Sequence, residues 1–102
     1  MRRYLLTAEA KPDLAEIKRY LMREAGPRVA KSTLLKIKAA LVLLGSTPGA
    51  GQIREDLTSE PLKFWPVFSY PIAYNPAKHP IHIMRVIHGN REVSAILGQD
   101  DD

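Results

Sequence analysis

Three side chains near the end of this 102-residue chain are of types that do chemistry: Arg85, His88 and Arg91, within "IHIMRVIHGNREV", residues 81–93. Histidine titrates near neutrality and can give or take a proton. Arginine can grip an anion through two parallel hydrogen bonds. Cleaving RNA through its 2′-hydroxyl asks for such an inventory: a general base, a general acid and cations around the phosphate. On that reading His82 or His88 moves the proton while Arg54, Lys63 and Arg85 hold charge. Alternate residues of an extended strand face opposite ways, however, so Arg85 and His88 point apart unless Gly89 or a bulge re-aims them.

The competing reading treats the same residues as contact surface and strand trim. A cation in a central strand is costly unless paired, so Arg85 needs a partner such as Glu92 or a backbone carbonyl, or exposure on an open sheet face. His88 then fixes the strand end by hydrogen bonding, and Arg91 is a solvated turn residue. His79, His82 and His88 are spaced by three and six, with no cysteine in the chain, and match no zinc pattern. The glycines of "STPGAGQ" have no Lys-Ser or Lys-Thr after them and do not read as a phosphate loop. No metal and no cofactor are expected.

The elements that must position these residues are legible from periodicity. "RRYLLT" reads as a short strand, with Thr7 placed to cap the helix after it. Leu14, Ile17 and Leu21 recur at helical spacing, giving an amphipathic helix over about 12–24, with Pro12, Asp13 and Glu16 in its first turn. Whether residues 8–11 join it, with a kink at Pro12, stays open. Gly26 suits a helix C′ position and Pro27 the next helix's first turn. Ala30, Leu34, Ile37, Leu41 and Leu44 form the stripe of a second helix, which Gly45 should end.

"STPGAGQ" is a loop on composition. Strands are expected over about 62–67, 70–75 and 81–88, the last being central, with Pro66 and Pro71 at bulges, edges or strand ends. In that last strand Ile81, Ile83, Arg85 and Ile87 should share one face, and His82, Met84, Val86 and His88 the other. Val93, Ala95, Ile96 and Leu97 make one further short element. The order is β-α-α-β-β-β, an α+β fold with a small sheet packed on an antiparallel helical hairpin. Residues 1–98 form a single domain and 99–102 an acidic, frayed tail.

Composition limits the function classes. The chain has no cysteine, and neither a signal peptide nor a membrane span is apparent, so a reducing cytoplasm is expected. Net charge is +4; without Asp100, Asp101 and Asp102 the acidic residues fall from eleven to eight against fifteen basic, a body of +7. That suits an acidic partner, or simply keeps the surface solvated. Phe64, Trp65 and Phe68 near Lys63 read either as core or as platforms for bases. Lys18, Arg19, Arg23, Arg28 and Lys31 read as a solvated helical face.

Taken in order, "AKPDLAEIKRYL", a second helix, a Gly-containing loop, "FWPVFSYPIAYNP" and "RVIHGNRE" resemble the ParE/RelE toxin superfamily of type II toxin–antitoxin systems, from about Tyr4 to Leu97. The ending is similar to the ParE side. That resemblance implies a toxin that inhibits DNA gyrase by binding and stabilising its cleaved-DNA complex, with no hydrolysis of its own. It makes Arg85, His88 and Arg91 the target-binding residues, with no sequence-specific nucleic-acid binding and no membrane. The RelE-like alternative is a ribosome-dependent mRNA endoribonuclease using Arg54, Lys63, Arg85 and His88. After Leu97 the chain reads "GQDDD", without the C-terminal Tyr or His commonly used on that side. A third reading is an inactive homologue that only binds its antitoxin. The resemblance also implies a ParD-like antitoxin whose acidic C-terminal segment folds onto the helical stripe of Leu14, Ile17, Leu21, Leu34, Ile37 and Leu41.

Overall fold

The computed structural model describes residues 3–88. Arg91, Glu92, the element expected around 93–97 and the tail 99–102 lie outside the described residues. Within them the order is β1 (Tyr4–Leu6), α1 (Ala10–Glu24), α2 (Pro27–Ser46), a 3-10 turn (Pro48–Ala50), β2 (Gln52–Ile53), β3 (Lys63–Val67), β4 (Tyr70–Asn75) and β5 (Ile81–Val86). The strands form one sheet in the order β1-β5-β4-β3-β2. Among the described strands only the β1–β5 pair is parallel, and the helical hairpin carries the chain from β1 at one edge of the sheet to β2 at the other. This is the α+β arrangement expected, with one strand added: Gln52–Ile53, read as loop, pairs with Phe64 and Lys63 at the sheet edge.

α1 begins at Ala10, two residues before the expected start, and takes Pro12 into its first turn, where a missing N–H leaves no helical bond unmade. Thr7 does cap it: its carbonyl accepts the Ala10 and Lys11 amides at 3.1 and 3.2 Å, and its hydroxyl lies 3.2 Å from the Ala10 amide. The break between helices rests on Gly26. Its φ of 92° and ψ of 168° belong to a region that side chains exclude, and its amide reaches back to the Leu21 carbonyl at 3.0 Å.

Gly45 does not end α2, which continues to Ser46. It is a close-approach glycine. A Cβ there would lie 2.7 Å from Arg3 Cβ and 2.9 Å from the Arg3 carbonyl oxygen, so the missing side chain lets the N-terminal segment cross the helix.

The main core lies between hairpin and sheet. Ala10, Ile17 and Leu21 of α1, with Ala30, Ile37, Leu41 and Leu44 of α2, bury against Ile72, Tyr74, Ile81, Ile83 and Val86. On the other sheet face the segment before β3 covers a smaller cluster of Leu62, Phe64 and Ala73, against which Leu57 and Met84 pack. Phe64 is therefore core and not a platform for bases.

Strict alternation fails in β5. Tyr74 pairs with Ile83 and Ala73 with Arg85, leaving Met84 as an extra residue, a β-bulge. Val86 consequently joins Ile81 and Ile83 in the main core, whereas alternation had placed it on the opposite face. The strand ends at Val86, two residues short of His88.

Candidate functional site

The polar cluster of interest forms where β1 leaves the sheet. β1 pairs with β5 only as far as Leu6 opposite Ile83, so the edge of β5 beyond that point needs other partners. Thr7 supplies the first: its amide donates to the Ile83 carbonyl at 3.2 Å, and its hydroxyl lies 3.0 and 3.1 Å from the carbonyls of Ile83 and Met84. Asp13, on the sheet-facing side of α1, supplies the next. Its Oδ2 accepts the Val86 amide at 3.0 Å and Arg85 Nε at 2.7 Å, while Oδ1 accepts Arg85 Nη2 at 2.8 Å.

Arg85 is thus held in a two-pronged ion pair, its side chain 25% exposed and that of Asp13 10%. The hydrogen bond to Asp13 raises the guanidinium pKa above its ordinary value, and the fields of Glu9 and Glu16 add to the effect. Its cation is permanent. The partner expected for Arg85 was Glu92 or a carbonyl. Asp13 was readable only as a first-turn acid, yet its position carried a signal, because it falls on the buried stripe Ala10, Asp13, Ile17 and Leu21. An acid on an apolar stripe requires a cation opposite.

His88 lies between two tyrosines, edge-on to Tyr20 with centroids 4.4 Å apart and stacked on Tyr70 at 5.5 Å. Burial pushes the Tyr70 phenol pKa up. Beside His88 a hollow of about 200 Å³ is lined by Glu16, Arg19, Tyr20 and Arg23. Arg85 and His88 therefore both reach the α1 helix, at Asp13 and at Tyr20 two turns further on. They do not point apart as strict alternation required. β5 ends at Val86, so alternation no longer governs His88, and Arg85 reaches Asp13 along the edge of β5 that β1 leaves uncovered beyond Ile83.

The remaining expected groups are dispersed. Arg54 grips Asp56 with bonds of 2.9 and 2.7 Å on the exposed surface, and this lowers the Asp56 carboxyl pKa. Lys63 reaches the Gly51 carbonyl at 3.4 Å, two strands away from Arg85. His82 is half-buried on β5 and His79 exposed in the preceding turn. No group of three metal-capable side chains forms among the described residues. Trp65 lines an apolar cleft of about 360 Å³ with Phe64, Pro66, Pro71 and Arg54. Phe68, at the tip of the β3–β4 hairpin, is 66% exposed with a left-handed φ of 55°.

The helical stripe read as an antitoxin surface is mostly core. Ile17, Leu21, Ile37 and Leu41 are buried under the hairpin's contact with the sheet, and Leu14 and Leu34 are half-buried at its margin. Periodicity identified the apolar face correctly, but the chain's own sheet covers it. The large apolar groups that the hairpin leaves exposed are Tyr20, Met22, Val29, Leu35, Val42 and Leu43.

A hairpin on a sheet with one parallel edge pair, carrying an ion-paired arginine and a histidine along the first helix, defines a compact α+β class. The comparisons place the chain within it. A family model described as the ParE toxin of the type II toxin–antitoxin system, parDE, matches residues 4–93, and the chain belongs to that family. Among solved structures, a chain titled "Chromosomal ParDE TA system from P. aeruginosa" shares the fold with a TM-score of 0.72 and 20% identity, covering 85% of this chain and 95% of that one. No curated protein matches.

Proposed function

We propose that this ParE-family toxin acts by binding DNA gyrase, stabilising its cleaved-DNA complex, and is neutralised in the cytoplasm by an antitoxin. Membership of the ParE family over residues 4–93 carries the reading. Of the four ribonuclease candidates Arg54 and Lys63 lie apart from Arg85 and His88, which supports binding over hydrolysis: Arg54 and Arg85 are each matched to a carboxylate, and Lys63 to a backbone carbonyl. His88 and Arg91 are the proposed target contacts. Arg85 is a positioning residue that ties β5 to α1 through Asp13. No helix among the described residues is long and apolar enough to cross a membrane.

Purified protein incubated with gyrase, ATP and relaxed plasmid tests the reading. Loss of supercoiling with accumulation of linear DNA is the expected result, weakened in His88→Ala and Arg91→Ala proteins that remain folded. Unchanged supercoiling together with cleavage of ribosome-bound mRNA would overturn it in favour of a ribonuclease. Neither activity, with no growth arrest on expression alone, would mark an inactive homologue.

A further inference from the structure

Of the three aromatic residues near Lys63, the fold buries Phe64, half-buries Trp65 and leaves Phe68 66% exposed. With Ser69, Phe68 forms the two-residue turn between the paired Val67 and Tyr70, at a φ of 55°. Such a position ordinarily goes to Gly, Asn or Asp, which adopt the left-handed backbone at little cost. A phenylalanine there is strained without burying its ring, so neither local conformation nor core packing accounts for it. The turn adjoins the site at His88. Tyr70, which closes the hairpin, stacks on His88 at 5.5 Å; Tyr20 meets the same imidazole edge-on, and the Arg23 guanidinium stands 5.8 Å from the Tyr20 ring centroid. Arg19, one turn before Arg23 on α1, lines the hollow with them. Residues four apart on a helix share a face, about 5–6 Å apart at Cβ. Arg19 has no ion pair among the described residues. Arg23 meets Glu24 at 3.2 Å, but both side chains are more than half exposed, and such pairs exchange readily with salt. Glu16 adds a carboxylate to the lining, and part of its field falls on Arg85.

We propose that this end of the molecule contacts duplex DNA directly, with Arg19 and Arg23 on neighbouring phosphates of one strand and Phe68 as a wedge against a base step. Phosphate contacts position a protein without reading sequence, and an apolar side chain at a protruding tip can unstack a step and kink the duplex. DNA offers a row of anions with flat apolar faces beside it, the two chemistries that α1 and the β3–β4 turn bring together here. A membrane is a poorer fit, because one ring buries too little apolar surface for stable anchoring. That the duplex is the one gyrase cleaves rests on the proposed function; the contact itself does not.

The test is fluorescence anisotropy of the full chain with an end-labelled duplex of about two helical turns, carrying 2-aminopurine near its centre, across a salt series. Binding should be independent of sequence and weaken with salt. Arg19→Gln with Arg23→Gln should flatten the slope of log K against log salt by about 1.8. Phe68→Asn should melt higher than the wild type, since asparagine accepts the left-handed turn, yet bind about tenfold more weakly and leave the 2-aminopurine quenched. Glu16→Gln should bind more tightly. No binding, an unchanged slope in the double arginine variant, or a Phe68→Asn protein that is less stable or binds as the wild type does would overturn the proposal. So would tighter association with phosphatidylglycerol vesicles than with DNA, which would make this end a membrane contact. Gyrase inhibition is scored separately: inhibition by a chain that does not bind DNA removes the DNA contact and leaves the toxin, and DNA binding without inhibition does the reverse.

Discussion

Asp13 accepts three hydrogen bonds from two residues of β5, so removing it undoes more than removing Arg85. In Asp13→Ala the Val86 amide is orphaned in a buried place and Arg85 loses its two-pronged carboxylate bond, a loss of about 2–3 kcal/mol. Arg85→Ala leaves Asp13 bonded to Val86 and should cost about half as much. Urea unfolding of the two single variants and the double measures this; equal single effects that simply add would mean no coupling. Tyr74 is a second fixed point. Its hydroxyl donates to the Pro48 carbonyl at 2.6 Å and accepts the Gly51 amide at 2.9 Å, so Tyr74→Phe should lose about 1–3 kcal/mol. Burial raises the Tyr74 phenol pKa. The folded chain therefore keeps a proton that the unfolded chain releases above about pH 10, and stability is intact below that pH and falls as pH rises. Stability profiles against pH should show a shallower alkaline fall in Tyr74→Phe, with Tyr70 still contributing.

At the scale of elements, α2 and the N-terminal strand are coupled through one absent side chain. Helix propensity alone favours Gly45→Ala by about 1 kcal/mol. The new Cβ would instead meet Arg3 at 2.7 and 2.9 Å, one of those contacts with backbone oxygen. Overpacking of that kind outweighs propensity, and a net loss of about 1–2 kcal/mol is expected. Hydrogen exchange should show reduced protection in Tyr4–Leu6, because that is the segment that must move. Gly49→Ala has nothing within 4 Å of its new Cβ and serves as the control. If both variants kept wild-type exchange in β1, the close approach would be no constraint.

For the whole molecule, charge is arranged by face. The hairpin's second helix has basic residues alone, while Glu9, Asp13 and Glu16 surround Arg85 at the end of β5. This arrangement changes the meaning of a supercoiling result. A loss of inhibition in Arg85→Ala is expected from a loosened β5–α1 junction without any contact between Arg85 and gyrase. The His88 and Arg91 variants are the informative ones, and inhibition that depends on the basic body should weaken with rising salt.

The sequence by itself determined the α+β class, the hairpin break at Gly26-Pro27, the three main strands and the apolar stripes, because periodicity and turn chemistry are local properties. It also carried the family resemblance in the order of those pieces. Only the tertiary structure decided what the stripes cover and where the polar groups go. The six apolar hairpin positions looked available to a partner, and the sheet takes four of them outright. Strict alternation sent Arg85 and His88 apart, yet both reach α1, because β5 ends at Val86 and its outer edge lies open to the helix beyond Ile83. The short strand at Gln52–Ile53 exists because β3 offers it an edge, which its own residues do not announce. Asp13 finds Arg85 across 72 residues of chain. A pair so distant in sequence has no periodicity to reveal it, and folding alone brings its two charges within bonding distance.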